Sequence, residues 1–419
     1  MPGPLQGVRV IELAHERCCF LGKLLADAGA DVVVVEPPEG AAQRGHEPFL
    51  DDQPGLERSL SWWHYNTSKR GVTLDLASEQ GIGQLRQLLA GADVFIDGEA
   101  PGRLAQLGLD YLSLQPLNPG LLMVSLTPYG QSGPEKERPA TDLTLAASGG
   151  MLWMNGYDDH SIPPIRGGGN QSFHTGAHYA MMALLAALLY RDEHGAGQFI
   201  DVNINACCNV TTESGSYAWL VSGAVVHRQT GRHAAARPTS SSQVRCSDGR
   251  YVNTGVPPRT PKEFRSLRDW VLELGLQDEF PELVFLEMAM ELEYVDQGKI
   301  GVDDAVTAMC AAGRDALVLI ASRLPAYDFF RGGQDRGFSV GVIYSPEEVM
   351  DDLHFRDRGF PTAVEHPELG ASFEYPGVPY RLNGSPCEVS RRAPLLGEHN
   401  EEVLGRLDDE GAASGSSPA

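Results

Sequence analysis

The run that decides the fold is DVVVVE, Asp31–Glu36, closed by Pro37 and Pro38. Four consecutive valines leave no polar side, so this is a strand covered on both faces, as the strands of parallel sheets are. The prolines stop it because neither can donate to a ladder. Working outward, VRVIEL (Val8–Leu13) is another short β-rich run, and Cys19–Ala28 carries Leu21, Leu24 and Leu25 on one helical face before Gly29 ends it. GVTLDL (Gly71–Leu76), ADVFID (Ala92–Asp97) and LLMVSLT (Leu121–Thr127) repeat the strand pattern. Ser78 is placed to cap an intervening helix whose apolar stripe is Ile82, Leu85, Leu88 and Leu89. Strands alternating with helices predict βαβ units with right-handed crossovers, hence an α/β, doubly wound, mostly parallel, Rossmann-like sheet. Glu36 ends its strand as the acidic residue of a dinucleotide fold does. However, the turn after the first strand, AHERCCFLGK, has no GxGxxG, which disfavours nicotinamide and flavin.

The 419 residues exceed one ordinary core, so two domains are expected. A hydrophobic share of 42% and a charged share of 21% are those of a soluble globular protein. The net charge of −23 argues against nucleic-acid and anionic-membrane partners, and an anionic small ligand would need a local basic pocket. The first residues, MPGPLQGVRVIEL, do not read as a secretory signal, so a cytoplasmic location is expected. The longest apolar run, Tyr179–Tyr190, suits a buried core helix and falls short of the roughly 20 residues that span a bilayer. Seven cysteines, two pairs of them adjacent and none in a CxxC, point to reduced thiols packing as small hydrophobes. From Ala224 to Phe338 helical stripes dominate (Phe264, Leu267, Val271 and Leu274, then Ala305–Ile320), which reads as a smaller α+β domain. FSVGVIYSPEEVMDD and APLLGEHNEEVL then read as a return to αβ architecture, and the small, polar, acidic end of the chain, residues 406–419, is expected to be disordered.

GGGNQSFHTG, Gly167–Gly176, runs directly into the apolar helix. Gly167, Gly168, Gly169, Asn170, Gln171 and His174 would line a ligand-presenting loop, and the free N–H groups of the helix start suit a phosphate or carboxylate. His174 and His178 stand four apart, but without HExxH or a nearby third ligand they read as packing, and no metal is expected. Ser172 is either a loop or cap hydroxyl or, with His174 two residues on, a serine nucleophile.

Seven segments together resemble the family III CoA-transferases, the CaiB/BaiF-like group that includes formyl-CoA transferases, crotonobetainyl-CoA transferases and α-methylacyl-CoA racemases. They are LQGVRVIEL, LLADAGADVVVVEPPEG, WHYNTSKRGVTLDL, GADVFID with PGRLAQLGLDY, LNPGLLMVSLTPYGQSGP, LLAALLYRDEHGAGQFIDVNI and APLLGEHNEEVL, in family order from residue 5 to about 404. The resemblance implies an interlocked dimer. Its large CoA-binding domain would comprise residues 1–223 and 339–405, and its small domain residues 224–338. The substrates would be an acyl-CoA and a carboxylic acid. It also implies an aspartyl nucleophile that accepts the acyl group as an anhydride, which stays as reactive as a thioester.

Counting back from Gly176 places Ser172 at that aspartate's position. A serine ester lies well below a thioester in energy, so returning its acyl group to CoA would be uphill. Thr141 stands where the racemase branch has a histidine, which argues against a racemase. Gly98, Gln106 and Pro38 replace an Asn and two basic residues of the family's CoA site. The resemblance keeps Arg17, Lys69, Arg70, Lys136 and Arg138 as candidate CoA-binding cations, with Val72 in the same segment. Three functions follow. The chain is the non-catalytic subunit of a heteromeric transferase of the benzylsuccinate type, paired with a related chain that carries the aspartate. Alternatively it is a self-sufficient transferase, homodimeric, using Asp142 or Glu16. Last comes an acyl-CoA hydrolase using Ser172 and His174.

Overall fold

The structure, a computed structural model, describes residues 1–405. The disorder expected for 406–419 lies outside the described residues. Two compact units form: one from Met1–Asn155, Pro164–Gly223 and the chain from Met350 on, the other from Gly156–Pro163 and Ala224–Val349.

The first unit carries, in order, β1 (Arg9–Leu13), α1 (Cys19–Asp27), β2 (Asp31–Glu36), α2 (Leu60–Tyr65), β3 (Arg70–Thr73), α3 (Glu79–Ala90), β4 (Val94–Asp97), α4 (Arg103–Gln106), α5 (Tyr111–Leu114), β5 (Leu122–Thr127), α6 (Asp142–Ser148), α7 (Gln171–His194), β6 (Gln198–Asn203), α8 (Ile204–Val210) and α9 (Glu213–Ser222). These six strands form one sheet in the order β3-β2-β1-β4-β5-β6, every pair parallel, while Pro361–His366 and Ala371–Pro376 pair separately as an antiparallel hairpin. The order reverses between β1 and β4, the place where open α/β sheets leave a crevice beyond the carboxyl ends of their strands. On one face Val10, Val32, Val94, Ile96 and Val124 meet Leu21 and Leu25 of α1 and Ala177, Ala180 and Leu184 of α7. On the other, Ile11, Val33, Val35, Phe95 and Met123 meet Leu85, Leu88 and Leu89 of α3 and the C-terminal Val403. Each such leucine or valine contributes about 1.5–3 kcal/mol when fully buried. Ser78 caps α3 by accepting the Gly81 N–H at 3.0 Å. The C-terminal segment covers the β3 edge: His399 N–H donates to the Gly71 carbonyl, and Asn400 Oδ1 accepts the Thr73 N–H at 2.8 Å.

A fully buried ion pair ties β1 to the chain entering β3. Lys69, fully buried, places Nζ 2.8 Å from Glu12 Oε2 and also donates to Asn66 Oδ1 and the Cys19 carbonyl, both at 2.9 Å. Gly22 of α1 lies directly over the carboxylate: a Cβ there would come within 1.7 Å of Glu12 Oε2.

Three features differ from the sequence reading. β6 was not anticipated, because QFIDVN mixes three polar with three apolar residues at the sheet edge and lacks the continuous apolar run of β5 beside it. The apolar helix, α7, is buried on one side only. Phe173, Ala177, Ala180, Leu184 and Leu188 face the core, while Met182, Leu185, Leu189 and Tyr190 stand exposed on the single chain. FSVGVIY belongs to the second unit: its strand Gly341–Val342 pairs with Tyr251–Asn253, and Phe338 and Val340 sit in that unit's core. The boundary therefore falls at 349/350, not at 338/339.

The second unit is α+β. Helices Pro261–Glu273, Leu283–Met290, Asp304–Arg323 and Ala326–Asp335 surround Phe264, Leu267, Trp270, Val271 and Ile320, beside a three-stranded antiparallel sheet. Asp304–Arg323 is long and apolar enough to cross a membrane by length and composition, and half of its apolar stretch is buried in this core.

Candidate functional site

The glycine loop ends at Asn170 and α7 begins at Gln171, so Ser172 sits in the helix's first turn. Its surroundings are already filled. The Ser172 N–H donates to Asp142 Oδ1 at 2.7 Å, and its hydroxyl donates to the Asp142 carbonyl at 2.9 Å. Asp142 opens α6, where Thr141 and Thr144 form a reciprocal capping box. Asp142 Oδ2 lies 3.0 Å from Arg166 Nη2, which also donates to the Gly169 carbonyl at 2.5 Å. The helix start that suits an anion thus holds an internal one, with its own arginine. Ser172 is 0% exposed, and Cys208 lies in hydrogen-bonding contact with it.

His174 turns away from this cluster. Its Nε2 shares a 2.8 Å hydrogen bond with the Tyr65 hydroxyl, and its ring stacks on Phe20 with centroids 4.1 Å apart. His178 meets the same Phe20 edge-on at 5.4 Å, so both histidines pack around one aromatic ring. Burial, and then His178, holds the His174 imidazole below its ordinary value; burial pushes the Tyr65 phenol up to about 12. The Ser172–His174 hydrolase dyad is contradicted, because the serine proton is given to a carbonyl, the hydroxyl is enclosed and the imidazole is engaged by Tyr65. Among the described residues no group of three potential metal ligands occurs.

The crevice at the switch point has a volume of about 250 Å3 and is lined by Leu13, Ala14, Val35, Leu74, Arg103 and Leu107, with Glu36 beside them. Glu36 is committed elsewhere: it accepts from Arg44 Nε at 2.6 Å, Arg44 Nη2 at 2.8 Å and the Ala41 N–H at 3.0 Å. Arg17, on the turn after β1, donates Nη1 to the Gly98 carbonyl at 2.8 Å and its N–H to His15 Nδ1. Burial and Arg17 push the His15 imidazole down to about 4. A Cβ at Gly98 would stand 2.9 Å from Cys18 Sγ and from the His15 ring, which explains the glycine there.

The other candidate cations are scattered. Lys69 points inward to Glu12 and presents no charge to the crevice, and Val72 is buried within β3. Neither side chain presents a polar group at the surface. Arg70 binds Asp31 at 2.6 Å and Glu402 at 2.8 Å. Lys136 lies beside Glu137, and Arg138 is exposed beside Glu135. Pro38 and Gln106 are exposed, and Glu16 is half-buried on the same turn as Arg17. Arg103 is the crevice cation that sequence reasoning passed over. It follows the PG of PGRLAQ one helical turn before Gln106, and that spacing was the available signal.

Three comparisons bear on this geometry. The family model described as CoA-transferase family III matches residues 5–400. The chain is 29% identical to the succinyl-CoA:(R)-benzylsuccinate CoA-transferase subunit BbsE of Thauera aromatica, covering 94% of this chain and 92% of the relative. It is 28% identical to the succinate–glutarate CoA-transferase of Agrobacterium fabrum, covering 97% and 96%. Among solved structures, a CAIB/BAIF family protein from Brucella suis superposes with a TM-score of 0.78 at 27% identity, covering 97% of this chain and all of the other.

Proposed function

The chain belongs to CoA-transferase family III, and from that membership we propose that it is the scaffold subunit of a heteromeric transferase acting on CoA thioesters and carboxylic acids in the cytoplasm. In this reading the crevice beyond β1, β2 and β4 takes the coenzyme, with Arg103 as the cation in its wall and Arg17, bonded to the Gly98 carbonyl, on the turn after β1. A second family III chain supplies the nucleophilic carboxylate. The observation that carries the reading is the closed start of α7: the Ser172 hydroxyl is enclosed, and the neighbouring Asp142 carboxylate is divided between the Ser172 N–H and Arg166. Neither group is free to attack a thioester. The subunit named in the benzylsuccinate relative supports a heteromer, as do the large apolar side chains Met182, Leu189, Tyr190, Trp219 and Leu220, all exposed on α7 and α9.

A second reading has one observation in its favour. Asp142 Oδ1 lies 2.7 Å from the Ser172 nitrogen, so a carboxylate is present beside the position the family gives its nucleophile. Were Arg166 to withdraw, Asp142 would serve a self-sufficient homodimer. One experiment separates the two. Purified chain is incubated with succinyl-CoA, the donor named in the relative, then quenched with hydroxylamine and mapped by mass spectrometry, with and without a second family III chain that carries the aspartate. The scaffold reading expects a hydroxamate only in the mixture and only on the second chain. A hydroxamate on Asp142 of the lone chain, lost in Asp142→Asn, would establish the other.

A further inference from the structure

A second cavity, of about 400 Å3, lies beside the carboxyl end of β4, with Met123 and Phe199 from the starts of β5 and β6 in its wall. It is separate from the coenzyme crevice. Arg103 and Leu107 line the crevice, Ala105 lines this cavity, and Leu104 lines both, so α4 stands between them. Its walls are mainly apolar: Leu104, Tyr111, Met123 and Phe199, the Tyr111 and Phe199 rings lying 6.1 Å apart. Its polar lining is Asp97, Asp110 and Gln131, with no cation among them.

The parallel register aligns Asp97, Ser125 and Asp201 in one row across the three strands. Most of this row is satisfied internally. Asp97 Oδ1 accepts the Glu99 N–H at 3.1 Å and the Ser125 hydroxyl at 3.3 Å. Gln131 Nε2 donates to Ser125 Oγ at 2.8 Å, and the Gln131 N–H donates to both Asp201 oxygens at 3.0 Å. One atom is left over. Asp97 is 1% exposed, and its Oδ2 has no hydrogen-bond partner. A buried carboxyl oxygen without a partner is costly, and that cost calls for an explanation.

We propose that this cavity is a second ligand site, taking a flat, uncharged, ring-sized group that donates one N–H or O–H to Asp97 Oδ2 while its ring packs among Tyr111, Met123 and Phe199. The acidic lining rejects carboxylates and phosphates, so this site does not compete for the coenzyme's anionic end. Burial lifts the Asp97 carboxyl to about 7, with Glu99 and Asp201 adding to the lift, so an incoming donor meets a group that ionises near neutrality.

The probes are indole, 1-methylindole, which lacks the donor, and benzoate, which adds a charge. Each is titrated onto the full chain by saturation-transfer NMR. Indole is expected to bind and 1-methylindole to bind at least about tenfold more weakly, the value of one hydrogen bond to a charged acceptor. Benzoate is expected not to bind. Ala105→Trp, a change at an exposed lining position, should abolish indole binding, and Asp97→Leu should erase the preference for indole over its methyl analogue. Equal binding of the two indoles to the wild-type chain, binding of benzoate, absence of indole binding, or unchanged binding in Ala105→Trp would each overturn the proposal. Should Asp97→Leu not fold, Ala105→Trp and the methyl comparison decide it.

Discussion

Ser172 is held by its backbone and its hydroxyl against one residue, and that makes its substitutions unequal. Ser172→Ala removes the hydroxyl's contacts with the Asp142 carbonyl and Cys208, which costs about 1 kcal/mol. Transfer by the complex should stay within about twofold, because in the scaffold reading the enclosed hydroxyl touches neither substrate nor the reacting carboxylate. Ser172→Asp sets a second carboxylate in a closed space beside Asp142. It should lower stability by roughly 2 kcal/mol or more and leave transfer by the lone chain unrestored. Thermal melts and a succinyl-transfer assay check both, and transfer gained by Ser172→Asp would contradict the closed site. Asp97 gives a pH test. Its carboxyl is lifted from 3.8 to about 7 by burial, so the folded state holds this proton more tightly than the unfolded chain does. Its contribution to stability is therefore full below pH 3.8 and is lost as pH rises through 7. Asp97→Asn, which stays neutral, should raise the melting temperature over wild type by more at about pH 8 than at about pH 5. An equal difference at the two pH values would mean that Asp97 is ionised throughout.

At the scale of elements, β2 was legible because an unbroken apolar run closed by prolines has few alternatives to a covered strand, and its neighbours because β-rich runs alternate with helical stripes. β6 was not, since only Val202 of its six residues is buried at the sheet edge. The glycine loop could be read as a ligand-facing turn, but the closing of Ser172 depends on Asp142, thirty residues earlier, and on Arg166. Only tertiary packing brings those together. The same limit applies to Lys69: a lysine followed by an arginine looks like solvated charge, and only the pairing of β3 with β2 directs Lys69 inward to Glu12. Because that pair ties β1 to the α2–β3 connection, Lys69→Met should cost about 3–5 kcal/mol by leaving the Glu12 carboxylate buried alone. The Glu12→Gln/Lys69→Met double variant should recover much of the loss. Urea denaturation of the three proteins measures it, and a single variant as stable as wild type would show that the pair is dispensable.

For the whole molecule, the uncovered apolar sides of α7 and α9 lead to a prediction about assembly. Leu189→Glu combined with Leu220→Glu should leave the circular dichroism of the lone chain unchanged, since both residues are exposed, while reducing its association with a second family III chain or with itself. Size-exclusion chromatography with light scattering reads this directly, and unchanged association would place the contact elsewhere. The ion pair beneath Gly22 has a consequence on a longer timescale. With only 1.7 Å available to a Cβ above the Glu12 carboxylate, positions 12, 22 and 69 cannot drift one at a time. Enlarging Gly22 displaces the acid, and losing either charge strands the other, so any descent that alters this knot must pass through a weakened intermediate or change the residues together. Among distant relatives, these three positions should therefore be inherited as a set, either all kept or all exchanged.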